Sequence, residues 1–277
     1  MKPESGTFTG CGGIEIYWQA WLPDTIRAVC IIAHGLGEHS GRYEHVAHAL
    51  VEHDLACFAL DHRGHGQSGG KRGHILSFEE FENDLETFRR QVEGRFPDMP
   101  VFLIGHSMGG LIAASYAITK GQGLAGLVLS SAALRVDVDE PAIKLALGKL
   151  FSKILPGVTM SNGLDPDYIS HEPDVVEKYK NDPLVHDRVS ARWFTEFQKA
   201  IEKVHELAHE ICVPALIMQS GDDKMVNPSG AREFYDRLTV EDSSLQYWEG
   251  FYHEMFNETD KQKPISFMIE WIEKRLP

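Results

Sequence analysis

The chain has 277 residues, 43% hydrophobic and 25% charged, enough to bury a sizeable core as one large domain or a domain with an insertion, and too apolar for a disordered chain. Lys and Arg number 27 against 41 Asp and Glu, a formal charge of −14 with no basic block, which argues against a nucleic-acid partner and against electrostatic attraction to anionic membranes. Four cysteines (Cys11, Cys30, Cys57, Cys212) without C-x-x-C spacing, a start lacking the apolar core of a signal peptide and the lack of any 18-residue apolar run predict a cytoplasmic chain with reduced thiols and no membrane span.

Taken in order, IEIYWQAW (Ile14 to Trp21) alternates like a half-buried strand, and with GTFTG before the turn residues CGG it predicts an opening hairpin. AVCIIAH, LACFALD, VFLIGH, LAGLVLSS and VPALIMQSG are apolar at most positions, as strands buried on both faces are. Helical i, i+3, i+4 spacings mark 40–52, 78–96, 108–119, 229–238 and 261–275. Alternation of this kind predicts an α/β fold, a mostly parallel central sheet flanked by helices. From 135 to 209 no buried-strand run occurs. PAIKLALGKLFSKILPG and SARWFTEFQKAIEKVHELAHE instead read as amphipathic helices around the polar LDPDYISHEPDVVEKYKNDPL. The expected organisation is a core of 1–134 and 210–277 with a helical cap, 135–209, inserted after the sixth strand.

At the third buried run, Gly105-His106-Ser107-Met108-Gly109 is G-x-S-x-G at a strand-to-helix junction. A capping serine in a tight turn is the plain alternative. The placement favours a nucleophile: a strand entering a helix through one residue strains that residue and crowds positions two before and two after it, where this chain has Gly105 and Gly109. Ser107 would then stand above the carboxyl edge of the sheet at the positive end of a helix. A serine needs a base, and the base an orienting acid. SGDDKMVNP follows the last core strand with Asp222 and Asp223, and His253 follows the next strand, in LQYWEGFYHEMFNE. His106 is the nearest rival base but faces away if Ser107 faces a cavity. An oxyanion would need two backbone N–H groups, from Met108 and from Leu36 in IIAHGLGEHSGRY. No metal is expected, since HRGH and HELAHE read as a Gly-rich turn and an exposed helix face, and GHGQSGGKRG is not a P-loop.

Together HGLGEHSGRY, DHRGHGQSGG, GHSMGG, SGDDKMVNP and EGFYHEMFNE, with SHEPDVVEKYKNDPLVHDRVSARWF between, resemble the α/β-hydrolase superfamily, in particular its monoacylglycerol lipase and lysophospholipase-like (serine aminopeptidase S33-type) branch. The resemblance implies Ser107 as nucleophile, His253 as base, Asp223 as acid, Leu36 and Met108 as oxyanion donors, and chiefly structural roles for Asp61 and Arg63. Ser220 stands where family members often have glycine, three residues before the acid, so Asp222 stays open as the alternative. The expected activity is a cofactor-free serine ester hydrolase cleaving lipid monoesters. An aminopeptidase or amidase with the same triad and a catalytically silent binding module are the alternatives. The broad apolar face of PAIKLALGKLFSKILPG predicts that Leu147 and Phe151 meet the acyl chain and that the cap touches membrane surfaces transiently.

Overall fold

In the computed structural model, which describes residues 3–137 and 151–277, the apolar runs become the strands of one eight-stranded sheet. Numbered along the chain, the described strands are β1 (Glu4–Thr9), β2 (Glu15–Trp21), β3 (Ala28–Ala33), β4 (Leu55–Leu60), β5 (Val101–His106), β6 (Gly126–Ser130), β7 (Thr159–Ser161), β8 (Arg188–Ser190), β9 (Ala215–Ser220) and β10 (Ser243–Trp248), of which all but β7 and β8 belong to this sheet. The sheet runs β1-β2-β4-β3-β5-β6-β9-β10. The β1–β2 hairpin and the β2–β4 pair are antiparallel, and every other neighbour is parallel. β3, β4, β5 and β9 are buried at every residue, as parallel strands covered on both faces must be.

The helices are α1 (Glu44–Val51), α2 (Glu79–Arg95), α3 (Met108–Lys120), α4 (Pro173–Asn181), α5 (Ala191–Leu207), α6 (Ser229–Tyr235) and α7 (Gln262–Glu273), and all but α4, which buries no residue, contribute to the core on the two faces. Alternation along β5 divides the core. Val101 and Leu103 face Phe81 and Phe88 of α2, Leu111 of α3 and Phe197 of α5, whereas Phe102 and Ile104 face Leu50 of α1 and Ile272 of α7. At roughly 25 cal/mol per Å² of apolar surface buried, these two layers are the main favourable term in folding.

Between β6 and β9 no described strand joins the main sheet. The segment holds α4, α5 and a separate antiparallel ribbon, β7 with β8, where the sequence predicts helices alone. Each ribbon strand has only three residues and is partly exposed, so neither produces an apolar run. All four cysteines are free, Cys30 and Cys57 being buried.

Candidate active site

Ser107 is the single residue between β5 and α3, and its backbone lies at φ 53, ψ −119, a region that costs a non-glycine residue about 1–3 kcal/mol. Packing holds it there. The Ser107 N–H donates to the Ser130 carbonyl at 3.1 Å, and the Ser107 carbonyl accepts from Leu111 N at 3.1 Å and Ala133 N at 3.0 Å. A Cβ at Gly105 would strike the Gly109 carbonyl, and one at Gly109 the carbonyls of Ala33 and His34. Both glycines are therefore required by the close approach of backbone to backbone.

The downstream loops bring the acid and the base together. His253 Nδ1 donates to Asp223 Oδ2 at 2.7 Å, which leaves the Nε2 lone pair free to accept a proton. Asp223 Oδ1 takes the N–H groups of Met225 (2.8 Å) and Val226 (3.0 Å), and Oδ2 also receives Gln219 Nε2 at 3.3 Å. Asp222 is exposed and bonds through its backbone N–H to the Phe251 carbonyl. Asp223 is thus the residue that reaches His253. Burial disfavours the charged form of both partners, yet their mutual attraction outweighs it, holding Asp223 below the usual carboxylate range and raising His253, with Glu254 and Glu38 adding to the latter. The His106 ring lies 4.8 Å from that of His253. Burial and the His253 charge push His106 down to about 4, so it is neutral at pH 7.

Opposite the base, the Gly35–Leu36 peptide is pinned by His34. His34 Nε2 accepts the His62 N–H at 2.9 Å, which places the proton on Nδ1, where it is donated to the Gly35 carbonyl at 2.7 Å. In a trans peptide the Leu36 N–H points the opposite way to that carbonyl. Among the described residues neither the Leu36 nor the Met108 N–H has an acceptor in the protein. Asp61 and Arg63 act as braces: Asp61 Oδ1 takes Ser40 N at 2.8 Å, and Arg63 Nε and Nη2 grip Asp84 at 2.7 and 2.8 Å.

Leu36, Ser107, Met108 and His253 line one cavity, walled by Val189 of β8, Trp193, Phe194, Phe197 and Ile201 of α5, and by Leu164, Met225 and Val226. Phe151 is not among its walls. It is 49% exposed, on a surface with Ile154, Leu155, Val158 and Met160. Among the described residues the largest share of the cavity wall comes from α5, whose single broad apolar stripe packs on the core through Phe197, Ala200 and Val204 and reaches the cavity through Trp193, Phe194, Phe197 and Ile201. Leu147 lies outside the described residues. Gln219 behind Asp223, and Glu38, Arg42 and Glu254 behind the Leu36 and His253 loops, carry no signal in the sequence. Nothing in their spacing announces partners up to 212 residues apart. No cluster of three His, Cys, Asp or Glu among the described residues is arranged to hold a metal. His62 and His65 of HRGH are buried, and His205 of HELAHE is turned to the Leu134 carbonyl.

A mostly parallel sheet, a strained serine at the turn from its central strand into a helix, and an Asp–His pair in the two following loops define an α/β-hydrolase. Residues 24–260 match the family described as serine aminopeptidase, S33, and the chain belongs to that family. It is 37% identical over 265 residues (93% of the chain) to an uncharacterized abhydrolase domain-containing protein of Dictyostelium discoideum, of whose length it spans 28%. It is 35% identical over 272 residues to a monoacylglycerol lipase of Mycolicibacterium smegmatis, covering 98% of this chain and 97% of that one. The crystal structure of Paleococcus ferrophilus monoacylglycerol lipase superposes with a TM-score of 0.85 at 34% identity, covering 99% of this chain and all of that one.

Proposed function

We propose that this protein is a serine carboxylic ester hydrolase that cleaves lipid monoesters, monoacylglycerols foremost, through an acyl-enzyme on Ser107. Ser107 Oγ attacks the ester carbonyl while His253 Nε2 takes its proton, and Asp223 stabilises the imidazolium that forms. The oxyanion is received by the N–H groups of Leu36 and Met108, both without a competing acceptor. His253 then gives the proton to the departing alcohol, and water repeats the cycle on the acyl-enzyme. No step calls for a metal or an organic cofactor.

One observation carries the choice of substrate. The cavity that holds Ser107 and His253 has apolar walls from α5, and its described lining includes neither a carboxylate nor a Lys or Arg. An acyl chain gains up to about 0.8 kcal/mol per methylene buried there. On this described lining the free α-ammonium of a peptide N-terminus meets no carboxylate, which sets the aminopeptidase reading back. The similarity to two proteins named as monoacylglycerol lipases points the same way.

In this reading residues 135–209 form a cap over a core of 1–134 and 210–277. The exposed apolar residues of 151–164 give the cap a weak, reversible contact with lipid surfaces, continuous with the cavity at Leu164, which belongs to both. In this reading the location is cytoplasmic, in keeping with four free cysteines. Separately, among the described residues no helix is long and apolar enough to cross a membrane. The purified protein, assayed on monoacylglycerols, lysophospholipids and aminoacyl-arylamides, should show its highest kcat/KM on monoacylglycerols. A higher value on the arylamides would replace this reading with the aminopeptidase one.

A further inference from the structure

Behind the Leu36 loop and the His253 loop, and outside the cavity lining, lies a largely buried group of charges that takes no proton and touches no reacting atom in the ester hydrolysis. Glu38 Oε1 accepts the Gly35 N–H at 2.6 Å and the Tyr43 hydroxyl at 2.7 Å. Its other oxygen receives Arg42 Nη1 at 2.5 Å. The same guanidinium grips Glu254 through two parallel bonds, Nη1 to Oε1 and Nη2 to Oε2, both 2.7 Å. Glu254 is the residue after His253, and Gly35 the residue before Leu36. A single arginine therefore spans the two loops that present the oxyanion donor and the base.

Each member is locked. Asn257 Nδ2 donates to Glu254 Oε2 at 2.9 Å, the Glu254 N–H donates to the Ile169 carbonyl at 2.8 Å, and Arg42 lies 4.7 Å over the Tyr179 ring of α4. Buried ion networks contribute little net stability, because desolvation offsets attraction. What they do supply is geometry: a bidentate Arg–carboxylate pair fixes both distance and plane. A tetrahedral intermediate needs the Leu36 N–H and His253 Nε2 placed on it together, and misplacement by about 1 Å is enough to cost about 10²-fold in rate.

We propose that Glu38, Arg42 and Glu254 are positioning residues that couple the oxyanion loop to the base loop, so that the turnover of Ser107 depends on the charge and fork geometry of this network. The proposal rests on the ester-hydrolase reading above. The groups that face His253 are Asp223, His106, Glu38 and Glu254, with Arg42 neutralising one of the two glutamates. The network leaves one net negative charge beside the imidazole in addition to Asp223. Removing Glu254's charge should therefore disfavour the imidazolium.

The test uses a short soluble ester, whose hydrolysis does not involve lipid surfaces, and expresses kcat per site titrated by a fluorophosphonate. Glu254→Gln keeps the shape and removes the charge; Arg42→Lys keeps the charge and removes the fork. Both should lose about tenfold or more in kcat with KM within twofold, and Glu254→Gln should move the rising limb of kcat/KM to lower pH by about one unit. Glu38→Gln should lower kcat in the same way, and if it does not fold, Glu254→Gln decides alone. Wild-type kcat per titrated site and an unmoved pH limb in Glu254→Gln would overturn the proposal, as would a loss confined to the number of competent sites. Ser107→Ala in parallel separates the two claims: turnover that survives it removes the ester-hydrolase reading and the coupling with it, whereas its loss alongside indifferent network variants removes the coupling alone.

Discussion

A serine with a positive φ is held in place only by what surrounds it, and Ser107 is surrounded by two glycines, the Ser130 carbonyl and the N–H groups of Leu111 and Ala133. Ser107→Ala removes one hydroxyl and no packing, so fluorophosphonate labelling and ester turnover should vanish while the melting temperature stays within a few degrees; labelling of another serine would contradict the assignment. Asp223→Asn should lower kcat by roughly 10³ to 10⁴ by favouring the wrong imidazole tautomer, whereas exposed Asp222→Asn should cost little. Reversal of that order in the two kcat values would make Asp222 the acid. His253 must be neutral to act as base and its pKa is raised, so kcat/KM should climb with pH through a midpoint above the ordinary histidine value of ~6.5. A midpoint below that value would mean that Asp223 does not bear on the base. Ser107 and His253 are legible in the sequence because each follows a strand at a place the chemistry needs. Adjacent aspartates are not distinguishable by order, and only the 2.7 Å bond from His253 separates them. Glu38, Arg42 and Glu254 are illegible because a long-range ion network leaves no period or motif along the chain.

At the scale of elements, apolar periodicity predicts the central strands β3, β4, β5, β6 and β9 and the helices packed on them because these bury whole faces, and it fails at the ribbon of the inserted segment. β7 and β8, three residues each, are held by pairing rather than by an apolar face. The same limit explains Phe151. A broad apolar face says that residues avoid water without saying whether a cavity, the core or a lipid surface receives them, and Phe151 lies exposed while Phe194, Phe197 and Ile201 line the cavity. Ile201→Asp should therefore depress kcat/KM for long-chain monoacylglycerols much more than for acetyl esters, flattening the chain-length profile. Phe151→Asp should leave short-ester kinetics unchanged and reduce co-sedimentation with phosphatidylcholine vesicles. If Ile201→Asp lowers all chain lengths equally, α5 is not the acyl wall.

For the whole molecule, titration sets the pH range of stability. His34, His62, His65 and His106 are buried and pushed below their ordinary value, His106 to about 4. Each is neutral when folded, so the unfolded chain binds more protons below ~6.5, and the stability present above that pH is lost as pH falls toward the folded values. His253 has the opposite sign: its raised pKa contributes below ~6.5 and is lost as pH rises through the folded value. Glu38, held at about 2 by Arg42, His106 and His34 against its own burial, and Asp223 add further acid sensitivity below the ordinary carboxylate range. Between pH 7 and pH 4.5 the four histidines outweigh the one, so the urea midpoint should fall across that range, and the two carboxylates steepen the loss below it. A constant or rising midpoint would contradict the burial of these rings. The charge of −14 gives vesicle binding no help from anionic lipid, so added phosphatidylserine should not strengthen it.

Trapping the acyl-enzyme tests most directly whether Ser107 is the nucleophile. The protein is mixed with a long-chain monoacylglycerol, quenched in acid within milliseconds to seconds, digested, and analysed by mass spectrometry. One added acyl mass should appear on the peptide carrying Ser107, accumulate and decay with turnover, and be absent from Ser107→Ala. Hydrolysis of the ester with no adduct at any quench time, or with the acyl mass on a different residue, would contradict that role for Ser107.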